Sequence, residues 1–196
     1  LSNLDAKLRH QVRETIIELQ REAGITTVFV THDQDEALAM SDRIGVMNAG
    51  RLEQGGTPLE VYRTPRTAYV ADFIGAANIL GVTVSAPSGT DASVPVELAG
   101  RRLVARALGA LAAGAAKLVI RPEDVRVSRG AVAGEGAVPA RISSRQYLGS
   151  KTSYAVTVAT AHVLSVDCAG DGHDAFAVGD DVTLTLDPSK ILVLAS

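Results

Sequence analysis

The chain has 196 residues, of which 46% are hydrophobic, 21% charged and 4% aromatic, enough for one medium domain or two small ones with an apolar core. Nineteen Lys and Arg against 22 Asp and Glu give a formal net charge of -3, which disfavours a generally basic nucleic-acid binder. The single cysteine, Cys168, excludes an internal disulfide and suits a reducing compartment. We expect neither a membrane-spanning helix nor a signal peptide.

The first part of the chain alternates helical and strand patterns. Apolar residues at three- and four-residue spacing predict a helix that Gly24 ends, and their positions are Leu4, Leu8, Val12, Ile16 and Leu19. Residues 25–30 are β-branched and aromatic with little alternation, which is typical of a parallel strand buried on both faces. Residues 33–40 return to good helix formers.

A hairpin and a capped helix follow. Residues 43–54 read as two strands around an Asn-Ala-Gly turn. Thr57 is an N-cap, Pro58 stands at the first helical position and Glu60 completes a capping box. We interpret residues 1–77 as an α/β remnant, the C-terminal part of a domain, and residues 78–196 as a second domain, joined by the small residues at 75–78.

The second domain reads as short strands separated by Gly and Pro, with the period-two alternation of half-buried strands in several places. Many short strands with little helix predict a small, mostly antiparallel β barrel of the OB-like class. The strands are predicted at residues 79–84, 94–98, 102–106, 117–121, 140–146, 153–158, 163–167 and 182–186.

His32 is the first candidate for chemistry because it directly follows the predicted strand at 25–30 and precedes a helix. The carboxyl ends of strands in open α/β sheets are where ligands bind, and an imidazole there can donate to a phosphate oxygen or relay a proton. A histidine satisfied by neighbouring backbone groups is the alternative. We interpret Gln34 and Glu36 as exposed first-turn residues without a catalytic role.

Two strings give the first domain a family resemblance. Ser2, Asn3, Leu4 and Asp5 occupy the S-x-L-D positions of a D-loop, and Val-Thr-His32-Asp-Gln-Asp-Glu-Ala follows about two dozen residues later. The domain therefore resembles the ATP-binding subunits of ABC importers, with His32 as the switch (H-loop) histidine. The string from Val70 to Asn78 is similar to the end of that domain in importers served by periplasmic binding proteins.

Short motifs in the second domain resemble the TOBE-type regulatory domain that follows the ATPase domain in this branch. They consist of Arg121, Pro122, Glu123 and Asp124, and of Tyr147, Leu148 and Gly149. Arg121 is either an anion hook or a structural residue paired to a carboxylate beside a strand that Pro122 ends; we favour the structural role. Cys168 is interpreted as a small buried hydrophobe.

The resemblance implies ATP and Mg²⁺ in a full-length, ATP-hydrolysing subunit. It places His32 against the terminal phosphate and Ser2 and Asp5 at the seam of a homodimer. The phosphate loop G-x-x-x-x-G-K-[ST], the signature segment and the catalytic Glu do not occur in this sequence, so we expect this chain alone to bind neither ATP nor a metal and to be inactive.

The same resemblance implies transmembrane permease partners, indirect action with a periplasmic solute-binding protein, and a cytoplasmic, peripheral location at the inner face of the membrane. The resemblance favours the polyamine, iron or sulfate-type branch, although the solute itself is not encoded in these residues. The alternative is a standalone OB-like binding module, or a dimerisation and regulatory module, without ATPase activity. With part of the ATPase sheet missing, we also expect the apolar segment at 25–30 to lack partners.

Overall fold

A computed structural model of the chain describes residues 6–130, 134, 136–159, 162–170 and 176–196, with the side chains of residues 6, 7, 9 and 10 left out. It forms two compact units, Leu1–Arg63 and Thr64–Ser196. The division into sequence domains at 77 and 78 stays a prediction. No helix within the described ranges is long and apolar enough to cross a membrane.

The first unit contains three helices and one hairpin in its described part. Helix α1 spans Ala6–Ala23, α2 spans Gln34–Met40 and α3 spans Pro58–Arg63, while β1 (Ile44–Asn48) pairs antiparallel with β2 (Arg51–Gly56). Ala49 and Gly50 join the two strands with φ of 45° and 79°, the positive pair that a type I′ turn requires. Glu60 and Thr57 exchange the two hydrogen bonds of a capping box. The predicted helices, hairpin and cap are confirmed.

The predicted strand at 25–30 is wrong. This segment has no strand assignment, and Val28 and Val30 are 87% and 90% exposed. A strand needs a neighbour to satisfy its backbone groups, and the strands described in this unit, β1 and β2, pair with each other. The expectation that this apolar segment lacks partners stays a prediction.

The second unit begins with α4 (Ala68–Phe73) and continues as a β structure with one 3₁₀ turn at Pro122–Asp124. Its described residues form ten strands: β3 (Asn78–Val84), β4 (Ser93–Leu98), β5 (Arg101–Ala107), β6 (Gly114–Ile120), β7 (Val125–Arg129), β8 (Ala137–Tyr147), β9 (Lys151–Val158), β10 (His162–Ala169), β11 (Asp181–Leu186) and β12 (Leu192–Ala195). All eight predicted strands are present, and β7 and β12 are the two that sequence reasoning missed.

The strands form two five-stranded sheets, in the orders β3-β6-β12-β5-β4 and β10-β9-β8-β11-β7. Every pairing is antiparallel except that of β12 with β5. Each sheet curls until its edge strands contact each other, β3 with β4 and β10 with β7. One hydrophobic cluster joins side chains of both sheets, including Leu118, Val156 and Leu184. The predicted, mostly antiparallel OB-like fold is confirmed.

Helix α4 packs on the first of these sheets. Ala71 is fully buried in a small cluster with Val119 of β6 and with Leu192 and Leu194 of β12. Thr67 caps the helix by accepting a hydrogen bond from the Val70 N–H at 3.2 Å. The end of this helix is consequently fixed beside the residues that follow β6.

Candidate functional site

His32 lies in the turn that leads into α2, and it is exposed. The residue after it, Asp33, caps the helix: its Oδ1 accepts from the Glu36 N–H at 3.1 Å. The residue before it, Thr31, accepts from the Asp33 N–H at 3.0 Å through its hydroxyl oxygen. Both neighbours of His32 are therefore held by local hydrogen bonds while the imidazole remains open to solvent.

A partly buried ion cluster supports this turn from α1. The Arg13 Nη2 atom lies 3.2 Å from Asp33 Oδ2 and 3.0 Å from Glu36 Oε1. The Thr31 hydroxyl donates to the other Glu36 oxygen, Oε2, at 2.9 Å. This hydrogen bond, together with the Arg13 charge, holds the pKa of the Glu36 carboxyl below its usual value, so the residue stays ionised near neutral pH.

Glu36 corrects one expectation from the sequence. We interpreted it as an exposed first-turn residue, but its side chain is only 6% exposed. A carboxylate at that depth requires a cation and hydrogen-bond donors, and Arg13 and Thr31 supply them. Glu36 thus belongs to the support of the turn, and Gln34 beside it is half-buried.

The first motif of the second unit is structural. Arg121 is buried, and its Nη1 donates to the carbonyls of Ala71 at 2.8 Å and Ile74 at 2.5 Å, at the end of α4. A cation there also opposes the negative end of the helix dipole. These two acceptors are carbonyls at the end of the helix, and the expected pairing of Arg121 with a carboxylate stays a prediction. Pro122 is buried just after β6 ends, as the sequence predicted.

The rest of that motif sits in the 3₁₀ turn. Glu123 is exposed, and Asp124 Oδ1 accepts from the Lys190 ammonium at 2.5 Å. This contact ties the turn to the segment before β12. The favoured structural role of the motif therefore agrees with where its side chains lie.

The second motif forms the tip of the β8–β9 hairpin. Tyr147 and Leu148 are 61% and 47% exposed, and Gly149 has a φ of 80°. The Leu148 N–H donates to the Lys151 carbonyl at 2.9 Å and closes the turn. This tip is a surface feature, and Gly149 serves its backbone conformation.

Comparisons with known proteins give this architecture a family. The TOBE domain family matches residues 118–194. The Fe(3+) ions import ATP-binding protein FbpC of Rhizobium etli is 40% identical over 194 residues, which cover 99% of this chain and 53% of that protein. The spermidine/putrescine import ATP-binding protein PotA of Methylococcus capsulatus is 47% identical over 150 residues, 76% of this chain and 38% of that protein.

The chain is related to the ATP-binding subunits of ABC importers. It spans about half the length of the curated relatives it matches. The resemblance drawn from the switch-histidine and TOBE motifs is confirmed, and the comparisons support it over the alternative of an independent binding module.

A solved structure agrees with the OB-like fold of the TOBE part. The cytoplasmic molybdate-binding protein ModG, with molybdate bound, superimposes with a TM-score of 0.52 at 14% identity, covering 61% of this chain and 96% of that one. At this identity the likeness concerns the fold alone.

The predicted D-loop residues of this chain lie outside the described residues; they are Ser2, Asn3, Leu4 and Asp5. Their assignment to a dimer seam stays a prediction. Helix α1 begins at Ala6, directly after these four residues. It carries Arg13, which contacts the turn around His32.

Sequence reasoning missed the two residues with the most specific polar contacts. Arg13 was given no role, and Asn78 was placed only among the small residues that join the two domains. The buried Asn78 amide contacts β6 and β10, with its Nδ2 donating to the carbonyls of Ile120 at 3.2 Å and Ser165 at 2.8 Å. In the sequence, the only indication of a role for Arg13 was its position one helical turn from apolar residues. No sequence pattern indicated the contacts of Asn78.

Cys168 is less buried than the sequence suggested. It is half-buried and packs against the main hydrophobic cluster. Burial raises the pKa of the Cys168 thiol, and the neighbouring Asp167 charge raises it further, so the reactive thiolate is disfavoured.

Proposed function

We propose that this chain works as part of the ATP-hydrolysing subunit of an ABC importer for a small solute. In this assignment His32 is the switch histidine, and the TOBE part is a regulatory domain. The iron and polyamine importers among its relatives support the polyamine, iron or sulfate-type branch for the solute.

The observation that carries the proposal is the exposed His32 imidazole on a turn whose flanking residues are fixed. A ring N–H presented in this way can donate to an oxygen of the terminal phosphate of ATP and hold the attacking water. Phosphoryl transfer to water depends on such positioning and on stabilisation of charge, with little covalent chemistry from the protein.

The remaining parts of the site come from outside these 196 residues. The sequence contains no G-x-x-x-x-G-K-[ST], so the backbone cradle and lysine for the phosphates must be supplied elsewhere in the subunit. Across the described ranges, no group of three or more His, Cys, Asp or Glu side chains is placed to hold a metal ion, and we assign no Mg²⁺ ligand to this chain. Mg²⁺ would supply charge neutralisation on the phosphates.

The proposed assembly follows the family. Two subunits pair as a homodimer with Ser2, Asn3, Leu4 and Asp5 at the seam. The dimer binds transmembrane permease subunits at the cytoplasmic face of the membrane, as a peripheral protein, and a periplasmic solute-binding protein delivers the solute.

A chimera tests the proposal. In the Rhizobium etli subunit, the part that this chain matches is replaced by this chain, which restores a phosphate loop and leaves His32 in its own surroundings. We expect the purified chimera to hydrolyse ATP with Mg²⁺ and the His32→Ala variant to lose about two to three orders of magnitude in kcat, the size typical of one lost positioning or electrostatic group.

Gln34→Ala is the matched control, since Gln34 lies two residues away on α2 and is given no role in hydrolysis. Its kcat should stay within twofold of the parent. A chimera that folds, binds ATP and hydrolyses it equally well with Ala at position 32 would refute the proposal.

A further inference from the structure

Resting on the proposed function, we propose that Arg13 and Glu36 are positioning residues for the His32 imidazole. Their ion pair fixes the turn from the side of α1, so that hydrolysis depends on two residues that need not touch the nucleotide themselves. Arg13 lies outside the sequence motifs, and Glu36 lies within one but was given no catalytic role.

The first step of the argument is that His32 has little support of its own. It is exposed, and the segment before it, 25–30, has no strand partner in the described chain. The place of its imidazole is therefore set by the backbone on either side, at Thr31 and Asp33. Any group that fixes these two residues fixes the imidazole.

The second step is that the ion cluster contacts both of these residues. Glu36 uses one carboxylate oxygen for Thr31 and the other for Arg13, while Arg13 also contacts Asp33. The Thr31 hydroxyl and the Asp33 N–H are bonded to each other at 3.0 Å, which closes the loop around His32. Removing Arg13 takes away both of these contacts from α1, to Asp33 and to Glu36. Removing Glu36 opens the closed set at Thr31 and leaves only the Arg13–Asp33 contact.

The third step concerns strength. Arg13 and Glu36 are 17% and 6% exposed at their side chains, so their attraction is screened far less than that of a surface pair. A single Arg13 nitrogen, Nη2, contacts the carboxylates of both Asp33 and Glu36. Because these contacts need one positive charge and no bidentate geometry, a lysine ammonium could replace them. Arg13 and Glu36 are 23 residues apart in sequence, so their contact joins α1 to the residues that follow His32.

The same chimera provides the kinetic test. We expect Arg13→Gln and Glu36→Gln each to lower kcat about tenfold with less than a twofold change in the KM for ATP, because a displaced imidazole weakens the transition state more than nucleotide binding. Arg13→Lys should recover most of the loss. Arg21→Gln, on the exposed last turn of α1, and Asp35→Asn, on exposed α2 surface, are the matched controls and should stay within twofold.

A double variant separates positioning from general damage. If Arg13 acts through His32, Arg13→Gln added to His32→Ala should cause no further loss in kcat. In the 196-residue chain itself, hydrogen exchange at residues 31–36 should accelerate in Arg13→Gln and Glu36→Gln and stay unchanged in Arg21→Gln. This readout needs no nucleotide.

The outcomes distinguish the two proposals. If His32→Ala destroys hydrolysis while Arg13→Gln and Glu36→Gln keep full kcat, the positioning role is refuted and the proposed function stands. Additive losses in the double variant, or a kcat loss without faster exchange at 31–36, also refute the positioning role. If His32→Ala retains hydrolysis, the proposed function itself fails. Should Arg13→Gln not fold, Glu36→Gln carries the same comparisons.

Discussion

Asn78 connects the two sheets through a single side-chain amide. Its Nδ2 donates to the Ser165 carbonyl at 2.8 Å, and its Oδ1 accepts from the Ser165 N–H at 2.7 Å. These two contacts imitate the paired hydrogen bonds of a neighbouring strand along the edge of β10. The amide thereby satisfies two backbone groups at the edge of β10.

We expect Asn78→Ala to lower the free energy of unfolding by about 2 kcal/mol, since it removes the hydrogen bonds that the buried Asn78 amide makes to Ile120 and Ser165. Chemical denaturation of the chain, followed by circular dichroism, measures the change. Thr83→Ala, at an exposed position on the same strand, is the control and should change stability by less than about 0.5 kcal/mol. Equal losses in the two variants would contradict the bridging role.

Single-residue roles divide by how far apart in sequence the partners are. The His32 turn was identified because its residues are adjacent and belong to a motif. Asn78 and Ser165 are 87 residues apart, and no local sequence pattern predicts a hydrogen bond over that separation. Arg13 and Glu36 fall between these cases: both charges were visible in the sequence, but their burial depended on how α1 and α2 pack.

At the scale of elements, the entry into β8 depends on one glycine. Gly136 has a φ of 84°, and its carbonyl accepts from the Leu186 N–H at 3.0 Å. A Cβ at this position would lie 2.5 Å from the Leu186 carbonyl oxygen, far inside van der Waals contact. The start of β8 and the end of β11 therefore approach more closely than any residue with a side chain allows.

We expect Gly136→Ala to destabilise the fold by about 3 kcal/mol, combining an unfavourable φ with the clash against β11. Gly149→Ala is the matched control, because Gly149 has a φ of 80° but a Cβ there would meet no described atom within 4 Å. Thermal unfolding of both variants separates the two effects. The interpretation fails if Gly136→Ala costs no more than Gly149→Ala.

Element prediction succeeded where local pattern and tertiary context agree. The alternating strands of the second unit were found because each has one buried and one exposed face, as in β9. Strand β12 was missed because it has only four residues and nearly all of them are buried, so its sequence does not alternate between apolar and polar residues. The strand predicted at 25–30 was wrong because its composition favours a strand while its described surroundings offer no strand to pair with.

At the scale of the whole molecule, the first unit leaves apolar side chains uncovered. Ile25, Val28, Phe29 and Val30 are exposed in one short segment, and Leu19 on α1 is 58% exposed. A contiguous apolar surface of this kind favours association. Pattern and motif predicted the family resemblance and the OB-like fold of the second unit, whereas the exposure of this segment depends on tertiary contacts that no local pattern shows.

We expect the isolated chain to self-associate through this segment as its concentration rises. Replacing both Val28 and Val30 by Asp should shift sedimentation velocity profiles towards monomer and lower the binding of an apolar dye. Val178→Asp, at a residue that is 62% exposed in the second unit, is the control and should leave both measurements unchanged. Association that persists undiminished in the Val28 and Val30 variant would contradict this expectation.

The central claim is that the His32 imidazole is presented to the terminal phosphate of ATP. Histidine-selective nitrogen NMR of the chimera, with the His32 signal assigned by its loss in His32→Ala, tests this contact without relying on turnover. On saturation with a non-hydrolysable ATP analogue, we expect the His32 ring signals to shift, while those of His162 on β10 stay in place. Saturation of the nucleotide site with no change at His32 would contradict the claim.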